Sequence, residues 1–204
     1  CIRDRLRILL DNGHGQETPG KRSPVWADGS QLFEYEFNRD IVRRIARMLA
    51  HKSITFDIIV HENTDIPLYV RANRVNHICS VNGAKNCLLL SIHANAGGGT
   101  GWEVWTSIGQ TMADDYAEII YKRAKIAFPE WKMRYDMTDG DHDKEDDFTI
   151  LKKTQCPAVL TENFFMDTER DCRFIMSEAG RDRIARMHFD AILDCIAWYE
   201  KQSR

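Results

Sequence analysis

Cys87-Leu88-Leu89-Leu90-Ser91-Ile92-His93-Ala94-Asn95 is the stretch that decides the architecture. From Cys87 to His93 it is an apolar run of strand length, which predicts a strand buried within a sheet. Working outward, further runs of this kind alternate with helix-length amphipathic segments. Leu6 to Asp11, Phe56 to His61, Trp102 to Thr106 and Pro157 to Thr161 predict strands. Leu32 to His51, Leu68 to Val81, Thr111 to Ala127 and Arg181 to Tyr199 predict helices. Strands alternating with helices imply an α/β fold with a mainly parallel sheet.

The 204 residues are one domain's worth, and a hydrophobic share of 43% is enough to build a core. A net charge of -3 offers no basic face for nucleic acid. No segment approaches the roughly 20 apolar residues of a membrane span. Cys1-Ile2-Arg3-Asp4-Arg5 runs straight into a strand-like segment, so no export signal is read there. Since the first residue is not Met, a trimmed or processed chain stays open. Six cysteines, Cys1, Cys79, Cys87, Cys156, Cys172 and Cys195, form no C-x-x-C pair, and buried reduced thiols are expected. The run from Asp136 to Asp147 is crowded with acids and fits a calcium loop only loosely. It is expected to be a solvated loop, with a lid over the site as the functional alternative.

Chemistry gathers at the carboxyl ends of strands in open α/β sheets. The first strand ends in Asp11-Asn12-Gly13-His14-Gly15, the third in Ser91-Ile92-His93-Ala94-Asn95, and the strand from Pro157 in Thr161-Glu162-Asn163. His14 and His93 at equivalent ends point to a metal, since imidazole is the commonest zinc ligand. The third ligand comes from the first helix. At about 100° per residue, Glu34, Asn38, Ile41, Ile45 and Leu49 share the stripe that faces the sheet, whereas Glu36 falls on the far side with Arg39, Arg43 and Arg47. A carboxylate on an apolar stripe is costly unless it is paired or bound to metal, so Glu34 is the candidate. His14, Glu34 and His93 would leave one zinc position for water, the pattern of a catalytic site. Glu162 suits a general base that becomes a general acid.

These residues resemble the zinc-dependent N-acetylmuramoyl-L-alanine amidases of the Amidase_3 type, which include autolysins, cell-division amidases and phage endolysins. The resemblance runs from about Arg7 to Ile196. It rests on Asp11 to Gly15, Glu34 with Asn38, the spaced Asp65, Leu68, Arg71, Val75 and Asn76, Ser91 to Asn95, Gly101-Trp102-Glu103-Val104-Trp105, and Pro157 to Glu162. It implies a twisted, mostly parallel sheet of about six strands flanked by helices on both faces. It also implies one Zn2+ held by His14, Glu34 and His93, with Glu162 catalytic, and cleavage of the amide between N-acetylmuramic acid and the stem L-alanine of peptidoglycan. Asn95 and Asn163 are candidates for substrate contact, and for Asn163 capping of its strand stands as an equal alternative. The chain departs from the pattern at Asn12, Gln16 and Asn163-Phe164-Phe165. Residues 1–204 are expected to form one catalytic domain, with 108–150 a variable insert carrying the acidic loop 136–147. A monomer acting at the cell wall is expected, with an activator protein as a further partner. Either a secreted, trimmed enzyme or a phage-type lysin made in the cytoplasm fits. Competing readings are a zinc peptidase or other amidohydrolase on the same site, and a catalytically silent peptidoglycan-binding or regulatory domain.

Overall fold

Within residues 88–92, Leu88, Leu90 and Ile92 enter one apolar core and Leu89 enters another, as the period-two geometry of a strand requires. The computed structural model describes residues 6–203, and Cys1 lies outside them. The elements in chain order are β1 (Arg7–Asn12), α1 (Glu34–His51), β2 (Phe56–Ile58), α2 (Leu68–Asn82), β3 (Cys87–Asn95), β4 (Trp102–Thr106), α3 (Met112–Ala127), β5 (Lys144–Glu145), α4 (Thr149–Lys152), β6 (Ala158–Phe165), α5 (Glu169–Met176) and α6 (Glu178–Gln202). They form one α/β domain.

The six strands make one sheet in the order β2-β1-β3-β6-β4-β5. From β2 to β6 the pairs are parallel. β4 runs antiparallel to β6, and β5 parallel to β4. One face is covered by α1, α3, α5 and α6, whose Phe37, Ile41, Ile45, Tyr116, Ile120 and Ile192 are almost wholly buried. The other face is covered by α2 and α4 through Val75, Cys79, Ile150 and Leu151. Each fully buried aliphatic side chain of this kind contributes about 1.5–3 kcal/mol. α3 opens on a capping box in which Thr111 and Asp114 exchange side-chain and backbone hydrogen bonds, and the Ser177 hydroxyl caps α6. These caps satisfy amides that a helix start otherwise leaves bare. Among the described residues no helix is long and apolar enough to cross a membrane.

Three elements were not anticipated. β5 and α4 have two and four residues, too few for hydrophobic periodicity to register. α5 follows the end of β6 directly and has only eight residues. The cysteines from Cys79 onward are buried free thiols.

Candidate metal centre and active site

β1 ends beside β3, and the turn that follows is held in an unusual shape. His14 has a φ of 62°, a left-handed conformation that costs a non-glycine residue roughly 1–2 kcal/mol. Backbone acceptors around it are tied down from behind. Arg71 donates to Asn12 O at 2.9 Å and to His14 O at 3.0 Å, Arg39 donates to His14 O at 3.0 Å, and Asn38 to Gly13 O at 3.1 Å. Arg71 also pairs with Asp11 at 2.9 Å, both side chains 2% exposed. The flanking glycines are needed for space. A Cβ on Gly13 would lie 2.0 Å from the His93 ring, and one on Gly15 would lie 2.1 Å from Asp65 N. Arg39, expected on the outer face of α1 with Glu36, is instead buried, because the carbonyls of His14, Glu62 and Tyr35 accept from its guanidinium. Glu36 is exposed.

The fold brings His14, Glu34 and His93 together, each with a ligand-type atom within 4.8 Å of the others. Glu34 is the first residue of α1 and is 1% exposed, where the positive end of the helix favours a carboxylate. Its Oε1 lies 3.3 Å from His14 Nε2 and 3.1 Å from His93 Nδ1, and the two rings stand nearly perpendicular, centroids 4.9 Å apart. Glu34 Oε2 is buried and has no hydrogen-bond partner.

Proton accounting at His93 tests whether a metal fits. Ser91 Oγ donates its one proton to Asp11 Oδ2 at 2.6 Å, because a carboxylate can only accept. Ser91 Oγ must therefore accept from His93 Nε2, 3.2 Å away. That leaves the Nδ1 lone pair aimed at Glu34, a repulsive contact unless positive charge lies between them. Burial opposes charge on His93, yet Glu34 outweighs it and raises the ring's pKa. Burial likewise works against the Glu34 anion, but the two rings hold its carboxyl well below the usual range. Burial lowers His14. The pull on His93 is a demand for positive charge beside Glu34, and a cation meets it as well as a proton does. Two imidazole nitrogens and a carboxylate fit zinc.

Glu162 lies one strand over, opposite His93 in the β3–β6 register, and on its other side it faces Glu103 of β4. The environments of the two glutamates drive them apart. Glu103 Oε1 accepts from Asn95 and Trp105, and its Oε2 accepts from Arg134 and Lys144. Burial disfavours its charge, but Arg134 and Lys144 lower its pKa overall. Glu162 Oε2 is shielded from solvent and has no partner. Burial pushes its carboxyl up to about 8, against the pull of His93 and with a further push from Glu34. A carboxyl poised near neutrality beside a saturated one is the pattern of an acid–base group.

Asn163 is fully buried. It accepts from Trp102 Nε1 at 2.9 Å and donates to His93 O at 3.0 Å, so its amide ties β6 to β3 and β4. Asn95 is half-buried and donates to Glu103. A cleft of about 400 Å³ opens beside His14 and His93, walled by Thr18, Ile66, Leu68 and Ile150. The roles of Glu103, Arg134 and Lys144 were missed. Gly101 to Trp105 marked the Glu103 segment, but only the antiparallel register of β4 sets that carboxylate beside Glu162.

The sequence profile described as N-acetylmuramoyl-L-alanine amidase matches residues 8–194. The chain is 29% identical over 191 residues to the N-acetylmuramoyl-L-alanine amidase CwlM of Bacillus licheniformis, covering 92% of this chain and 67% of that protein. It is 26% identical over 197 residues to the endolysin of Bacillus phage SPP1, covering 93% of this chain and 65% of that one, slightly under two thirds of the relative's length. The fold is similar to the N-acetylmuramoyl-L-alanine amidase of Clostridium difficile 630, with a TM-score of 0.77, 24% identity and coverage of 94% and 96%. With residues 8–194 of its 204 matched, the chain belongs to the N-acetylmuramoyl-L-alanine amidase family.

Proposed function

We propose that this chain is a zinc-dependent hydrolase of the amide between the lactyl group of N-acetylmuramic acid and the stem L-alanine of peptidoglycan, acting at the cell wall. The observation that carries the reading is the convergence of His14 Nε2, His93 Nδ1 and buried Glu34 next to the unpartnered carboxyl of Glu162. Family membership supports the substrate class. His14, Glu34 and His93 would hold the ion. When bound, zinc supplies a Lewis acid that stabilises negative charge on oxygen and makes water acidic near neutral pH.

The chain's own residues do the rest. Glu162 accepts the proton that the attacking water releases and returns it to the departing nitrogen, as the C–N bond breaks and the C–O bond stays. The products are the free lactyl carboxylate and a stem peptide with an α-amino L-alanine. Glu103, held anionic by its four donors, keeps the Glu162 carboxyl easy to protonate. Asp11 and Ser91 keep the proton of His93 on Nε2. The cleft beside His14 receives one side of the substrate. Residues 108–150 form a variable insert beside the β4 edge.

The test is digestion of purified peptidoglycan by zinc-loaded protein with mass spectrometry of the soluble products. Free stem peptides beginning with L-alanine, abolished by a chelator and restored by zinc, are expected. Release of fragments with the lactyl–alanine bond intact would assign the centre to a different amide.

A further inference from the structure

The 108–150 segment contains a second gathering of oxygen donors, separate from His14, Glu34 and His93. Asp114 in the first turn of α3, and Asp141 and Asp143 just before β5, bring carboxylate oxygens within 4.8 Å of one another. Asp114 is 5% exposed and Asp143 only 2%. Asp141 is half-buried. Three carboxylates this close, two of them buried, call for compensating charge. The cationic side chains that flank Asp143 turn elsewhere: His142 pairs with Glu118 at 2.9 Å, and Lys144 with Glu103 at 3.2 Å.

The hydrogen bonding is also short of protons. Thr106 Oγ1 lies 3.0 Å from Asp114 Oδ1 and 2.5 Å from Asp143 Oδ2. A hydroxyl has one proton and can satisfy only one of these contacts. The Oδ1 atoms of Asp141 and Asp143 are both shielded from solvent and lack any hydrogen-bond partner. Asp143 is the deeply buried one of the two, and a bare oxygen on its side chain points to a ligand beyond the clustering.

We propose that Asp114, Asp141 and Asp143 form a structural calcium site, distinct from the zinc-type centre. The donor set is all hard oxygen, with no imidazole or thiolate, which selects calcium or magnesium over zinc. Calcium accepts irregular oxygen shells on loops, whereas magnesium demands a near-ideal octahedron and keeps several waters, for which buried oxygens leave little room. The ion joins the first turn of α3 to the acidic loop, beside Thr106 at the end of β4.

The test uses protein stripped of divalent ions, reloaded with zinc, and titrated with calcium chloride at neutral pH. Magnesium chloride and sodium chloride at matched ionic strength serve as comparisons. A saturable rise in Tm of about 5 °C or more is expected, with a midpoint of about 0.1–1 mM and one calcium per chain by calorimetry. Asp143→Asn should weaken calcium binding at least tenfold and keep its zinc content. Because this change removes a crowded charge, the ion-free variant should melt no lower than ion-free wild type. No calcium-specific rise in wild-type protein, or a rise that Asp143→Asn retains in full, would overturn the site and leave Asp141 and Asp143 sharing a proton. An equal response to magnesium would overturn the choice of calcium.

Discussion

Ser91 shows how much a single hydroxyl can decide. It passes its proton to Asp11 and receives one from His93, which leaves Nδ1 bare on the side of Glu34. Removing the hydroxyl should free the ring to rotate or change tautomer. Ser91→Ala is expected to weaken zinc affinity by about 10–100-fold, read by competition with a zinc-binding dye, with secondary structure unchanged by circular dichroism. Glu162 is the complementary case. Glu162→Gln keeps the shape and loses the proton, so kcat should fall by about 10²–10⁴-fold while zinc content by atomic emission stays the same. Activity near wild type in that variant would remove Glu162 from the chemistry. That His14, His93, Glu34 and Glu162 would meet at one edge was legible from strand ends and one helical stripe. Glu103 was not, since its role depends on which strand lies beside β6.

The turn after β1 is the element on which the site depends. Its glycines leave room for the His93 ring and for the backbone at Asp65, and Arg71 holds its carbonyls. Gly13→Ala sets a methyl against that ring, so loss of zinc binding with only moderate loss of stability is expected; retention of full zinc affinity would mean the turn can shift. Asp11→Ala is a different kind of damage. It leaves the buried Arg71 guanidinium with only the longer, 3.5 Å contact to Asp65 in place of its buried carboxylate partner, which costs up to about 3–5 kcal/mol, measurable as a fall in the urea midpoint. Helix and strand runs were readable wherever length allowed a period to repeat. Arg39 escaped because angular position on α1 places it outward, whereas a long side chain can reach back to carbonyls that no periodicity displays. The acidic loop is exposed at Asp136, Asp139, Asp146 and Asp147, as its charge suggested. Asp143 alone is packed under Thr106, a contact between segments far apart in sequence.

Across the molecule, acid stability is tied to the layer beneath the active site. His188 of α6 is wholly buried, with Nδ1 at 2.8 Å from Ile184 O and Nε2 at 2.9 Å from Thr161 Oγ1. Burial lowers its pKa from 6.5 to about 4, against the pull of Ile184 O. The unfolded chain therefore takes up this proton first as pH falls. The contribution is complete above about pH 6.5 and is lost on the way down to about 4, an amount of about 3 kcal/mol. Urea unfolding of wild type and His188→Gln in parallel should show the difference between them shrinking across that window; a constant difference would mean the ring is not the titrating group. The layered α/β plan was legible because five strands and four helices could be read as apolar or amphipathic runs, while the reversal of β4 follows from tertiary pairing alone. The same sheet ends on each side in a very short strand, β2 with three residues and β5 with two. A foreign strand trying to zip onto either margin would gain only a few main-chain contacts, too few to offset its own ordering. Crowding many copies together should therefore not seed fibrils along the sheet, and colloidal behaviour is left to surface side chains.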